Sequence, residues 1–271
     1  MKIVKMIALI VFLLAANVLF GLTLNRAESR FDAMFTLDLD LLVLALWVFG
    51  SMLLVAFAAG IAAALVRPFW ATALAFFLSA LAVLPFWGLD WIPAAFVLVY
   101  FLLALVYANN VRNEMEQRIR FSAAPVQREQ KALLSALALL VSVAFALGYQ
   151  RDAAQKGYVL PPAFKQVMVD AIVPAPGSEA GDLLGQFGPA AEQQMRQEAE
   201  RIWAGMEEQL RPFAAYLPIA LALLVFGILE FLLNLVSWIP LVLLAGIFPL
   251  FTALGITRTE TETKEVARLV L

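Results

Sequence analysis

The sequence predicts an all-α, polytopic integral membrane bundle of about seven transmembrane helices with a small extramembrane helical cap. Three observations lead there. The chain is 63% hydrophobic and 15% charged, against about 45–50% and about 25% for ordinary soluble proteins. Its charge is partitioned: residues 7–24, 41–66, 69–89, 92–111, 132–150 and 213–257 together hold a single charged side chain, Glu230. None of these segments alternates apolar and polar residues in the manner of a membrane barrel strand.

A hydrocarbon core about 30 Å thick takes roughly 20 residues of helix, so each of the first five segments reads as one span. Lys2 and Lys5 precede the first. Its apolar run exceeds the roughly 7–15 residues of a cleaved signal core, and it reads as an uncleaved anchor. The segment 213–257 is too long for one span and breaks at Ser237-Trp238-Ile239-Pro240. It reads as spans six and seven. The last stretch is short and contains Pro240 and Pro249, so six spans plus a re-entrant hairpin is the alternative.

Lys and Arg in short loops set orientation. Lys2, Lys5, Arg67 and the loop bearing Arg112, Arg118, Arg120, Arg128 and Lys131 fall on one side. That side is predicted to be cytoplasmic, with the N-terminus. The loop 110–131 is expected to extend span four as a helix, and its positive charge has a topogenic role. Aromatic residues mark the membrane edges: Trp70, Trp87, Trp91, Tyr107, Tyr149, Tyr216 and Trp238 are expected at headgroup level. Trp47 and Tyr100 lie deeper and should find polar partners within the bundle.

Residues 151–212 form the extracytoplasmic amphipathic segment. Phe164, Val167, Met168, Ala171 and Ile172 recur at helical spacing over 162–173, and Pro174 stops that helix. A short turn is expected over 182–187. A second helix starts at Pro189 and ends at Pro212, with Met195, Ile202, Trp203, Met206 and Leu210 on one face. That face packs on the bundle as a cap, lies in the interface, or docks a protein partner. The tail, 258–271, alternates Thr with charged residues and reads as extended and unpaired.

The chemistry is defined largely by absence. The chain has no cysteine and no histidine. Disulfides, thiolate or imidazole metal sites, Cys–His and Ser–His–Asp nucleophiles and histidine pH switches are therefore excluded. No phosphate-binding glycine loop and no nucleophile elbow are present. No enzymatic activity and no cofactor are predicted. A pI near 5.3 without a basic stripe excludes nucleic acid as a partner.

Glu230 is the one ionisable residue within a span, and such residues are expensive in hydrocarbon. Asn234 and Ser237 follow at i+4 and i+7, so the three form a candidate intramembrane polar site. It serves either as a proton or cation site or as polar glue between helices. Asp38, Asp40 and Asp90 are candidate outer-face carboxylates, read chiefly as helix caps. Small residues at Ala56, Gly60 and Ala64, and at Ser142, Ala144, Ala146 and Gly148, are expected to let helices approach closely. The leading expectation is a non-enzymatic structural or accessory subunit of a membrane assembly in the cell membrane, its partners the lipid bilayer and a protein docked on the 151–212 helices. The alternative is a small transporter or channel using Glu230.

Overall fold

The computed structural model describes residues 2–36, 38–117, 124–172 and 189–253. The turn expected over 182–187 and the tail 258–271 lie outside the described residues. Among the described residues there is no strand. The helices are α1 (Lys2–Ser29), α2 (Leu39–Leu65), α3 (Phe69–Leu81), α4 (Leu84–Trp87), α5 (Trp91–Gln117), α6 (Ala124–Lys156), α7 (Pro162–Ile172), α8 (Pro189–Leu210), α9 (Leu217–Val236) and α10 (Ile239–Ala253). Short 3₁₀ turns at Phe31–Phe35 and Arg211–Tyr216 join α1 towards α2 and α8 to α9.

Among the described residues six helical runs are long and apolar enough to cross a membrane: Ile3–Ser29, Leu39–Leu65, Phe69–Trp87, Trp91–Met115, Glu129–Lys156 and Gln193–Val236. Beyond these six, α10 is a shorter apolar helix. The described part of α10 has 15 residues, a rise of about 22 Å, against a core about 30 Å thick. Pro249 lies inside it, where the missing N–H and the ring against the preceding turn weaken the helix.

The third span is broken for a similar reason. Pro85 sits in the first turn of α4, and its ring opposes continuation of α3 past Leu81. α2 ends at Leu65 and α3 starts at Phe69, so Val66, Arg67 and Pro68 make a tight turn. α6 begins at Ala124, earlier than the expected 132, because the basic loop is itself helical on both sides of residues 118–123. At its other end Gly157, at φ 74°, adopts the left-handed conformation that terminates a helix.

α6 is the central helix. In it 83% of an 18-residue apolar stretch is buried, against 17–39% in the other five spans. α1, α2, α5, α9 and α10 all pack on it. Its composition explains this: Ala136, Ala138, Ser142, Ala144 and Gly148 let neighbours come close on several sides. Gly60 of α2 does the same at another crossing. A Cβ there would stand 2.9 Å from Val126 and 3.0 Å from Leu244 of α10.

Hydroxyl and amide groups within the spans are largely satisfied locally. Thr23, Ser51, Ser79 and Ser142 donate to carbonyls three or four residues back. Asn17 donates to Leu13 O and accepts from the Tyr100 hydroxyl at 2.9 Å, both side chains fully buried. Trp47 remains 42% exposed, with the Arg26 guanidinium 4.9 Å above its ring. Of the expected edge aromatics, Trp70, Trp91, Tyr216 and Trp238 are exposed, whereas Trp87, Tyr107 and Tyr149 are buried. The second group is turned inward by the helix crossings rather than set at the lipid surface.

Candidate functional site

The principal polar cluster assembles where α1 ends. The buried positions of α1 run Leu13, Ala16, Asn17, Phe20, Leu24, Ala27, Glu28 and on to Phe31 in the following turn. This is the three-and-four spacing of one helix face. The helix does not stop at the polar residues Asn25 and Arg26, so its inward face carries a carboxylate, Glu28, only 8% exposed.

α6 meets that carboxylate. Gly148 lies against the backbone of Glu28: a Cβ there would overlap the Glu28 carbonyl group, standing 2.9 Å from its carbon. Arg151 follows one helical turn later. Its guanidinium forks, Nη1 donating to Glu28 Oε1 and Nη2 to Asp90 Oδ2. The indole N–H of Trp87 donates to Glu28 Oε2 at 3.0 Å. Pro85 starts the short helix that presents Trp87, and Asp90 precedes α5. One cluster thus ties together four elements.

The cluster continues into the cap. Tyr149 packs edge-on against Phe31, ring centroids 6.2 Å apart, and donates to the Val159 carbonyl. The Val159 N–H donates to Glu207 of α8 at 3.1 Å. Tyr158 donates to Asp152 at 2.6 Å. Burial, and then this bond to a carboxylate, push the Tyr158 hydroxyl far above the ordinary phenol range. Lys156 pairs with Asp152 at 2.9 Å.

Chemically the cluster is closed. Each Glu28 oxygen is engaged by a donor, and Arg151 is divided between two carboxylates. A general base must also reach a reacting atom, and Glu28, with a donor on each oxygen, is only 8% exposed. Among the described residues no group of three or more carboxylates is placed to hold a metal ion.

The sequence-predicted residues are distributed differently. Glu230 is half-buried beside the packed edge of α9, which is formed by Val225, Leu229 and Leu233. Its Oε1 is buried without a hydrogen-bond partner. Asn234 is exposed, and Ser237 donates to the Asn234 carbonyl at 3.4 Å. The three residues share a side of the helix but do not converge. At 100° per residue, Asn234 stands about 40° further from the packed edge than Glu230.

Asp38 caps α2, its Oδ1 accepting from the Leu41 N–H at 3.1 Å. That bond holds the exposed Asp38 carboxyl below its ordinary range. The cap is therefore present above the unfolded carboxyl's titration and is lost as pH falls through the lowered folded value. Asp40 lies exposed in the first turn of α2. Asp90 joins the arginine fork. The three do not form one cation site.

The face of α8 is also divided. Trp203 is 6% exposed and tilts against Phe164 of α7 at 6.0 Å. Phe164 in turn meets Phe35 at 5.9 Å. Met195 and Ile202 are exposed, and Met206 and Leu210 are half-buried. Trp203 thus belongs to the cap's own core, and among the described residues of the expected docking face Met195 and Ile202 are exposed. No family model, no curated protein and no solved structure matches this chain.

Proposed function

We propose that this membrane protein is a non-enzymatic structural or accessory subunit of a membrane assembly. The observation that carries the reading is the internal closure of its polar groups. At the C-terminal end of α6 Arg151 is shared between Glu28 and Asp90, and Thr23, Ser51, Ser79 and Ser142 donate to carbonyls of their own helices. Little is left to line a path or bind a substrate. The cap, braced by Trp203 and the Val159–Glu207 bond, holds Met195 and Ile202 outward on a fixed support, as a docking face requires. The charge bias of the loops supports residence in the cell membrane with the N-terminus cytoplasmic.

The test is native-gel migration of the full chain in mild detergent at its natural expression level. The chain should travel with a second polypeptide in constant stoichiometry. Met195→Glu with Ile202→Glu should release that partner while leaving thermal unfolding of the chain unchanged. Migration as a lone chain of 29.8 kDa in every mild detergent would contradict the reading.

One observation favours a second reading, transport: the unpartnered buried oxygen of Glu230. An ionisable side chain within a span would suit a proton or cation path. Glu230→Gln keeps shape and hydrogen-bonding capacity and removes the titration. Under the structural reading it leaves assembly and proteoliposome proton flux unchanged within about twofold. A collapse of flux by about 100-fold with assembly intact would establish transport instead.

A further inference from the structure

At the end of the bundle opposite the Glu28 cluster, a groove of about 300 Å³ opens between the α2–α3 turn and α5. Its walls include Arg67, Phe69, Trp70, Thr72, Arg112 and Met115. Connectivity fixes its depth. Arg67 lies in a turn between two spans, so it stands at a membrane edge. Arg112 is about 32 Å along α5 from Trp91, one core thickness away. Both guanidiniums are therefore at headgroup level on the same side.

We propose that this groove binds the headgroup of an anionic phospholipid, with the phosphate between Arg67 and Arg112. Guanidinium groups recognise phosphate oxygens through paired N–H donors. Arg67 is exposed, and Arg112 is held over the Phe69 ring at 5.6 Å, a stacking that orients its planar fork. Thr72 donates to the Val66 carbonyl at 2.9 Å, which fixes the turn carrying Arg67.

The helix start adds to this. α3 begins beside the groove with no side-chain cap, which places the positive end of its dipole near it. A lipid, rather than a soluble anion, suits the surroundings. Trp70 is 65% exposed at the rim, where indoles settle among headgroups. Apolar side chains of α3, among them Leu74 and Phe77, are exposed along the span below and would lie beside the acyl chains. The volume suits a glycerophosphate group and not a whole lipid.

The experiment is native mass spectrometry of the full-length protein, delipidated and then offered equal amounts of dioleoyl phosphatidylglycerol and dioleoyl phosphatidylcholine. The wild type should retain phosphatidylglycerol at least about tenfold over phosphatidylcholine. Each arginine near anionic lipid contributes about fivefold. Arg67→Gln should thus lower retention about fivefold, and Arg67→Gln with Arg112→Gln about 25-fold. Arg30→Gln, at the other end of the bundle, should change nothing.

Equal retention of the two lipids would overturn the proposal, as would unchanged retention in Arg67→Gln. Displacement of phosphatidylglycerol by millimolar inorganic phosphate would overturn the lipid assignment in favour of a free anion. Arg67 is exposed, so its single substitution decides the matter even where the double variant does not fold.

Discussion

Gly148→Ala is expected to destabilise the bundle by about 3 kcal/mol or more. Most overpacking is relieved by rotating a side chain. Here the added Cβ meets the carbonyl carbon of Glu28 at 2.9 Å and its Cα at 3.1 Å, all of it backbone. Relief requires separating α1 from α6, the helix on which five others pack. Gly227→Ala makes the matched comparison. It lies in α9 with nothing within 4 Å of its added Cβ, and should be neutral or stabilising by about 0.5–1 kcal/mol through helix propensity. Intrinsic-fluorescence thermal unfolding in detergent reads both. Equal midpoints for the two variants would mean that the close approach at Gly148 is not a stabilising contact.

Arg151→Ala is the second large effect, with an expected loss of about 2 kcal/mol. Removing one partner of a buried ion pair leaves an uncompensated charge, at roughly 3–5 kcal/mol when both are buried. The Arg151 side chain is 48% exposed and that of Glu28 only 9%, so solvent screens one side and the figure is reduced. Asp90→Ala should cost under about 0.5 kcal/mol, because the Asp90 side chain is 64% exposed and loses little on release to water. The ranking is the informative part: Arg151 well above Asp90 in the same unfolding assay, with Trp87→Phe between them as one hydrogen bond is lost.

The bundle was legible because hydrocarbon imposes one requirement on every span, a long uncharged helix. The charge partition followed directly from that. The cap helices were legible too, since their apolar stripes and bounding prolines at Pro162, Pro189 and Pro212 are local signals. What was not legible depended on tertiary contact. Asn25 and Arg26 resembled the end of span one. The apolar face in fact continues past them, through Ala27 to Phe31, and its spacing was the available sign that Glu28 points inward. Nothing in the sequence pairs Glu28 with Arg151, 123 residues away.

The intramembrane carboxylate was legible at once, but its surroundings were not. Glu230 stood out as the lone charge, and i, i+4 spacing linked it to Asn234. Sharing a helix face is necessary for convergence but not sufficient. The packed edge of α9 is set by Val225, Leu229 and Leu233, and that edge leaves Asn234 exposed. The division of residues 213–257 was less legible, because they are uniformly apolar and only the turn at Ser237 shows where they part.

The central claim is that the Glu28–Arg151 cluster is a closure holding α1 to α6, not an open site. A double-mutant cycle on Glu28→Gln and Arg151→Gln, read by thermal unfolding, tests it most directly. The closure predicts a coupling of about 1–2 kcal/mol between the two positions, with the double variant less destabilised than the sum of the singles. Additive losses, with no coupling beyond about 0.3 kcal/mol, would contradict it.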